Sequence, residues 1–324
     1  MAVAASVGFP AFSAHTRLLV VAPHPDDETI ATGLLVQQVH AAGGEVRVVL
    51  LTAGDNNPWP QRWLEQRLRI GSLDRRRWAQ RRGMEMVQAL QRLGLPETAL
   101  HSLGWPDLGV STLLLESTDE VVATIAQELN QFNPNLVVFP SLLDRHPDHG
   151  AAHVLVRLAL AGRAEAPALF TYLIHGEPGS RGFIRIQPTP AQMAAKCAAL
   201  LAHRSQLALS GRRMRRLADR PERYAEVGLP LALGLVLPWR PPAWLRPWLG
   251  LHLVSAAGGH RWAWAVAPIE RLPDGRFRVS LSACSQAVPC FVHLSLSLRS
   301  PWIFDHWGWC ELQAGDGPAD AVVA

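Results

Sequence analysis

The chain has 324 residues, and 31 Lys+Arg against 27 Asp+Glu leave a formal charge of only +4, with 48% hydrophobic and 18% charged residues. That composition belongs to a globular chain with a sizeable core and excludes disordered and fibrous classes. The basic excess is small and nearly all arginine, as a bias of the whole chain would give, so no nucleic-acid partner is expected.

Cys197, Cys284, Cys290 and Cys310 form no C-x-x-C pair and read as reduced thiols of a cytoplasmic protein. The first seventeen residues lack a basic n-region, so no signal peptide is expected. No apolar run reaches the roughly 18 to 20 residues that a spanning helix needs.

In chain order, Leu18 to Ala22 reads as a buried strand. Ile30, Leu34, Leu35, Val39 and Ala42 then share a helix face closed by Gly43. Glu45 to Thr52 is a second strand. An Arg-rich helical region follows over 60–93, its charge a solvated face. Ser117 and Glu120 form a capping box before a helix through Phe132, and Leu136 to Phe139 is the next strand. Ala151 to Ala161 reads as helix, Phe170 to Ile174 as strand. Thr189, Pro190 and Gln192 cap a helix running to about Gln206.

Strands alternating with helices imply an α/β fold, a mostly parallel sheet with helices on both faces, whose sites lie at the carboxyl ends of strands. After Val227 the texture turns Pro/Trp-rich and then β-rich. Trp262 to Ala267 and Arg276 to Ser282 read as a hairpin across Pro273-Asp274-Gly275, and Phe291 to Leu298 alternates strictly. The expected division is an extension over 1–16, an α/β domain over 17–227, a Pro/Trp-rich connection and β-rich annex over 228–313, and a frayed tail over 314–324.

The chemistry concentrates in two loops. Directly after the first strand comes Pro23-His24-Pro25-Asp26-Asp27-Glu28, where a dinucleotide-binding chain would carry glycines for the pyrophosphate. An imidazole and three acids between prolines make a poor anion site and a good cation site. About 120 residues later Asp144-Arg145-His146-Pro147-Asp148-His149 follows another strand and opens another helix. One such loop alone reads equally well as a surface turn with N-caps. Two, each containing His-Pro-Asp after a strand, can converge on one metal, with no cysteine needed for a catalytic site that keeps one position open.

The A-x-H-P-D-D-E and H-P-D-H motifs resemble those of the PIG-L or LmbE-like zinc-dependent de-N-acetylases. Weaker echoes lie at Leu51 to Asp55, Arg82 through Glu85 to Leu93-Gly94, Leu103 to Asp107 and His203 to Gln206, and the resemblance covers about residues 17–227. Pro23 departs from it, standing where the family often has Ala or Gly. The resemblance implies a Rossmann-like fold, Zn2+ or another divalent transition metal on His24, Asp27 and His149, and Asp26 as general base. It makes His146 the acid that steadies the oxyanion or protonates the leaving amine, with Asp148 orienting it. Asp144 would support the second loop, and Arg82, Asp107 and Glu28 are candidate substrate contacts. The implied reaction removes an N-acetyl or other N-acyl group from a small-molecule or lipid-linked amino sugar. The rival reading is a carbohydrate-binding protein that keeps the metal loop as scaffold and binds sugar on its Trp-rich annex. Trp239, Trp244 and Trp248, among prolines and Arg240 and Arg246, suggest a peripheral contact at the inner membrane face.

Overall fold

The computed structural model describes residues 8–163, 165–176, 183–227, 235–280, 289–297 and 307–312. The 314–324 tail and the first residues of the 1–16 extension lie outside them. The chain divides into two compact units.

The first unit comprises residues up to Val110 with Glu128–Ser141 and Ala166–Val227. Its sheet is built from β1 (Arg17–Ala22), β2 (Glu45–Thr52), β3 (Leu100–Trp105), β4 (Leu136–Pro140), β5 (Ala168–Tyr172), β6 (Ile184–Arg185) and β7 (Arg223–Glu226). The order is β3-β2-β1-β4-β5-β7-β6. The first five run parallel, and β7 and β6 close one edge antiparallel. This is the expected α/β sheet. β1 and β4 are adjacent, so the chain leaves the same edge of the sheet after Ala22 and after Pro140.

Every residue of β1 from Leu18 to Ala22 is buried, which is why the strand reads as a continuous apolar run rather than an alternation. Leu18, Val20 and Ala22 pack on Leu34, Leu35 and Val39 of α1 (Asp27–Ala41), and the same core takes Met86, Ala89 and Leu90 of the Arg-rich region. That region is two helices, α2 (Pro58–Glu65) and α3 (Ser72–Arg92). The break begins at Gln66, whose φ of 51° is left-handed. Likewise α7 (Pro190–Leu200) stops before α8 (Arg204–Ala218), two helices where one was expected. The Thr189–Gln192 capping box is formed as read.

The second unit comprises Ser111–Gln127, Leu142–Glu165 and the chain from Gly228. It contains most of α4 (Val110–Glu116), the start of α5 (Thr118–Phe132) and α6 (Pro147–Leu160). It also holds a four-stranded antiparallel sheet, β13-β12-β8-β9, from β8 (Leu249–Ser255), β9 (Gly258–Ala263), β12 (Cys290–Leu296) and β13 (Trp309–Glu311). The expected hairpin is displaced. Its turn is right, but the strands are β10 (Ile269–Arg271) and β11 (Phe277–Val279), because Trp264–Val266 coils into a 3-10 turn ahead of Pro268. One division between the units falls at Val227/Gly228, and α6 groups with the chain from Gly228 onward. Among the described residues no helix is long and apolar enough to cross a membrane.

Candidate metal centre

In the first unit the turn from β1 into α1 is fixed from several sides. Pro23 and Pro25 offer carbonyls but no N–H. Thr52 at the end of β2 donates both its N–H and its hydroxyl to Pro23 O at 3.0 Å. Arg82 of α3 donates to Pro25 O at 2.7 Å, to Gly54 O, and more distantly to Asp26 Oδ2 at 3.4 Å. A Cβ on Gly54, whose φ is +61°, would collide with that guanidinium, so the glycine is what lets Arg82 in.

Asp26 caps α1 with φ 117° and ψ −26°, a conformation that side-chain-bearing residues rarely adopt. Asp26 N donates to Glu28 Oε2 at 2.9 Å, and Glu28 in turn meets His203 Nε2 at 2.9 Å and Thr29 Oγ1 at 2.6 Å. Burial pushes the Asp26 carboxyl up to about 7, aided by the Asp27 and Glu28 charges and opposed by Arg82 and His203. His203 loses proton affinity to burial but gains more from Glu28 and Asp26, so its pKa is raised.

His24 stands between two carboxylates. Its Nδ1 lies 3.3 Å from Asp27 Oδ2 and its Nε2 3.3 Å from Asp107 Oδ1. Asp107 also accepts from Asn56 N at 2.7 Å. Burial pushes its pKa up, but the hydrogen bond and charge of His24, Asn56 N and Arg82 prevail and hold it well below the usual carboxylate range. Two ligand atoms on one tetrahedral ion at about 2.0–2.1 Å are separated by about 3.3 Å, so the His24–Asp27 pair has the spacing and donor chemistry of two metal ligands.

In the second unit His146 caps α6, its Nδ1 accepting from Asp148 N at 3.3 Å. Asp144 accepts His146 N at 2.9 Å on one oxygen and faces His149 Nδ1 at 3.1 Å with the other. A carboxylate on Nδ1 selects the tautomer that leaves Nε2 as the lone-pair nitrogen, the arrangement in which a histidine binds metal. The His146 and His149 rings are 5.1 Å apart, and Asp148 is fully buried.

The sequence-based assignments therefore fall into groups. His24, Asp26, Asp27, Arg82 and Asp107 are together in the first unit, and Asp144, His146, Asp148 and His149 in the second. Of the expected substrate contacts, Arg82 and Glu28 are buried and Asp107 is half-buried, and all three hold the loops: Arg82 donates to the carbonyl of Pro25, while Asp107 and Glu28 accept from the backbone N–H of Asn56 and of Asp26. Asp148 reaches His146 through its backbone N–H. The sequence reading missed the part played by Thr52 and left His203 ambiguous; their signals were single residues in the weaker echoes. Trp239 is in the annex core with Trp264, its Nε1 donating to Trp307 O, so of the three tryptophans read as a membrane contact only Trp244 and Trp248 reach solvent.

The protein is of the α/β class with a mostly parallel sheet, and at the carboxyl edge of that sheet stands a buried histidine flanked by carboxylates, a donor set able to hold a metal ion. Residues 19–160 match the PIG-L family model, described as GlcNAc-PI de-N-acetylase. Relatives include 1D-myo-inositol 2-acetamido-2-deoxy-alpha-D-glucopyranoside deacetylases. That of Mycolicibacterium vanbaalenii is 29% identical over 172 residues, 48% of this chain and 58% of the relative. That of Mycolicibacterium smegmatis is 30% identical over 167 residues, 46% and 55%. The chain thus spans little more than half the length of these relatives. Two solved structures share the fold. A deacetylase triple mutant from teicoplanin biosynthesis has a TM-score of 0.52 at 19% identity, covering 65% of this chain and 97% of its own. The N,N'-diacetylchitobiose deacetylase of Pyrococcus horikoshii has 0.50 at 20%, covering 65% and 83%.

Proposed function

We propose that the chain is a metal-dependent N-deacetylase that hydrolyses the acetamide of an N-acetylglucosamine-type sugar or glycoconjugate to acetate and a free amine. The observation that carries this reading is the His24–Asp27 pair at ligand spacing, with the constrained carboxylate of Asp26 between them in sequence. His24, Asp27 and His149 would hold the ion, Zn2+ by the chemistry of two imidazoles and one carboxylate. The adjacency of parallel β1 and β4 supports bringing both motifs to one edge of the sheet. When bound, the metal supplies Lewis acidity toward water and the amide carbonyl.

The chain's own groups do the rest. Asp26 takes the proton at a carboxylate oxygen as water adds to the amide carbon. His146 donates a proton to the amine nitrogen as the C–N bond breaks, and donates to the oxyanion before that. Asp144 keeps the His149 ring in its ligating tautomer, and Asp107 turns the His24 ring. The relatives that deacetylate a GlcNAc-inositol support a small sugar substrate.

The test is release of acetate and amine from N-acetylglucosaminyl substrates by zinc-loaded protein, with metal content measured in parallel. Asp26→Asn is expected to keep zinc and lose turnover by about 100-fold or more, and His149→Ala to lose zinc. Undiminished turnover in Asp26→Asn, or zinc retained in His149→Ala, sinks the corresponding assignment.

A further inference from the structure

The small net charge of the chain hides a concentration of it. Residues 58–92 carry nine arginines against three acids, and α8 carries five against none, a net of +11 where the whole chain has +4. Both α2 and α3, which carries most of these arginines, contact α8, so these charges share one region of the first unit.

The same region exposes large apolar side chains. Trp59 and Trp63, at i and i+4 on α2, are 64% and 67% exposed; Leu68 is 91% and Leu209 of α8 is 49% exposed. Together with Arg62 and Arg67 they line one open groove of about 650 Å³, and the Arg62 guanidinium lies 5.0 Å from the Trp59 ring. On α8, Arg212, Arg213 and Arg216 fall three, four and seven residues after Leu209, on its face of the helix, while Met214 and Ala218 turn inward. Burial in the fold accounts for none of these four apolar residues. Contiguous exposed apolar surface of this kind marks an interaction site.

We infer that this Trp/Leu/Arg face docks on an anionic lipid bilayer. Tryptophan and leucine ringed by arginine is the composition that seats a protein at the headgroup boundary, the rings entering the interface while the cations meet lipid phosphate. A second copy of the chain would oppose arginine to arginine across the contact. A nucleic acid would use the arginines but leave Leu68 and Leu209 without a purpose. The face adjoins the β1–α1 turn, because α2 starts two residues after Asn56, which is bonded to Asp107. The inference stands whether or not the chain is a deacetylase, and it relocates the membrane contact from the annex tryptophans to α2 and α8.

Flotation of the full chain with phosphatidylcholine vesicles, with and without phosphatidylglycerol, tests it. Binding is expected only with phosphatidylglycerol and weakened by salt. Trp59→Ala/Trp63→Ala/Leu68→Ser should reduce it at least ~10-fold with an unchanged melting temperature, since all three side chains are exposed. Arg212→Glu/Arg213→Glu/Arg216→Glu should do the same, and Trp244→Ala/Trp248→Ala should bind as wild type. The inference is overturned if protein stays at the bottom with phosphatidylglycerol vesicles, if the α2 variant floats undiminished, or if the annex pair carries the binding. A dimer in sedimentation, lost in the α2 variant, would assign the face to a second copy and overturn it too.

Discussion

The backbone of Asp26 makes a prediction whose sign runs against the ordinary rule. In most positions glycine is less stable than alanine by about 0.5–1 kcal/mol, because it loses more freedom on folding. At φ 117° and ψ −26° an alanine must hold a left-handed conformation that costs about 1–2 kcal/mol, whereas glycine adopts it freely. Asp26→Gly and Asp26→Ala both remove the buried carboxylate and its 3.4 Å contact with Arg82, so those contributions cancel in the comparison. Asp26 N keeps its bond to Glu28, and Arg82 keeps Pro25 O, so the conformation is imposed on either variant. Asp26→Gly should therefore be the more stable by about 0.5–1 kcal/mol, a melting difference of about 1–4 °C for a unit of this size. Paired thermal melts at one pH measure it. Alanine as stable as glycine, or more so, would show that the turn relaxes when its carboxylate goes. The strain would then belong to the side chain, not to the loop that Arg82 and Glu28 hold.

Two further predictions concern buried charge. Lys196 donates to Glu222 at 2.6 Å and to Ile30 O, while Glu222 accepts Leu34 N and Leu35 N and Tyr224 donates to Ala31 O, so this group grips α1 at four consecutive-turn positions. Both charges are fully buried, so Lys196→Met should cost about 3–5 kcal/mol in denaturant unfolding. Adding Glu222→Gln should cost much less than that variant does alone; additive losses would refute the coupling. In the annex, burial, with the His293 and Arg261 charges, lowers the His252 pKa from 6.5 to about 4, and Ser295 Oγ bonds its Nε2 at 2.6 Å. Between those values the unfolded chain binds more protons, so stability should fall as pH drops from 6.5 to 4. The fall should shrink in His252→Gln, and an unchanged pH profile there would reject the assignment.

Much of this was legible in the sequence because the signals were local. Leu18 to Ala22 is apolar on both faces, as a central parallel strand must be, and the Thr189–Gln192 cap depends on residues three apart. The two His/Asp loops announced themselves by residue type. What stayed hidden depends on distant partners. The split of the Arg-rich region at Gln66 follows from a left-handed residue that no glycine marks. The carbonyl and amides that Arg82, Asp107 and Glu28 serve are backbone partners that residue type alone does not reveal. The concentration of arginine opposite exposed tryptophan needed the pairing of α2 with α8, which lie some 140 residues apart.

The grouping of α6 with the annex gives the C-terminal region a physical task. Arg157 of α6 is almost wholly buried and meets Glu311 of β13 through two nitrogens, at 2.7 and 3.2 Å. A bidentate pair of this kind fixes orientation as well as distance. Two turns earlier on the same helix, Gly150 lies so close to Trp309 that an added Cβ would come within 3.1 Å of its ring. The Trp309 ring in turn lies tilted against His293, centroids 4.9 Å apart, and His153 meets the Phe291 ring edge-on. The helix that carries Asp148 and His149 in its first turn is thus held along its length by side chains of β12 and β13. A ligand histidine must be placed to a fraction of an ångström, and a helix gripped at a tight glycine contact and a forked ion pair is a more rigid support than a loop. On this argument the annex is part of the architecture of the second motif, and the described residues of β12 and β13 support the position of His149, the ligand proposed above.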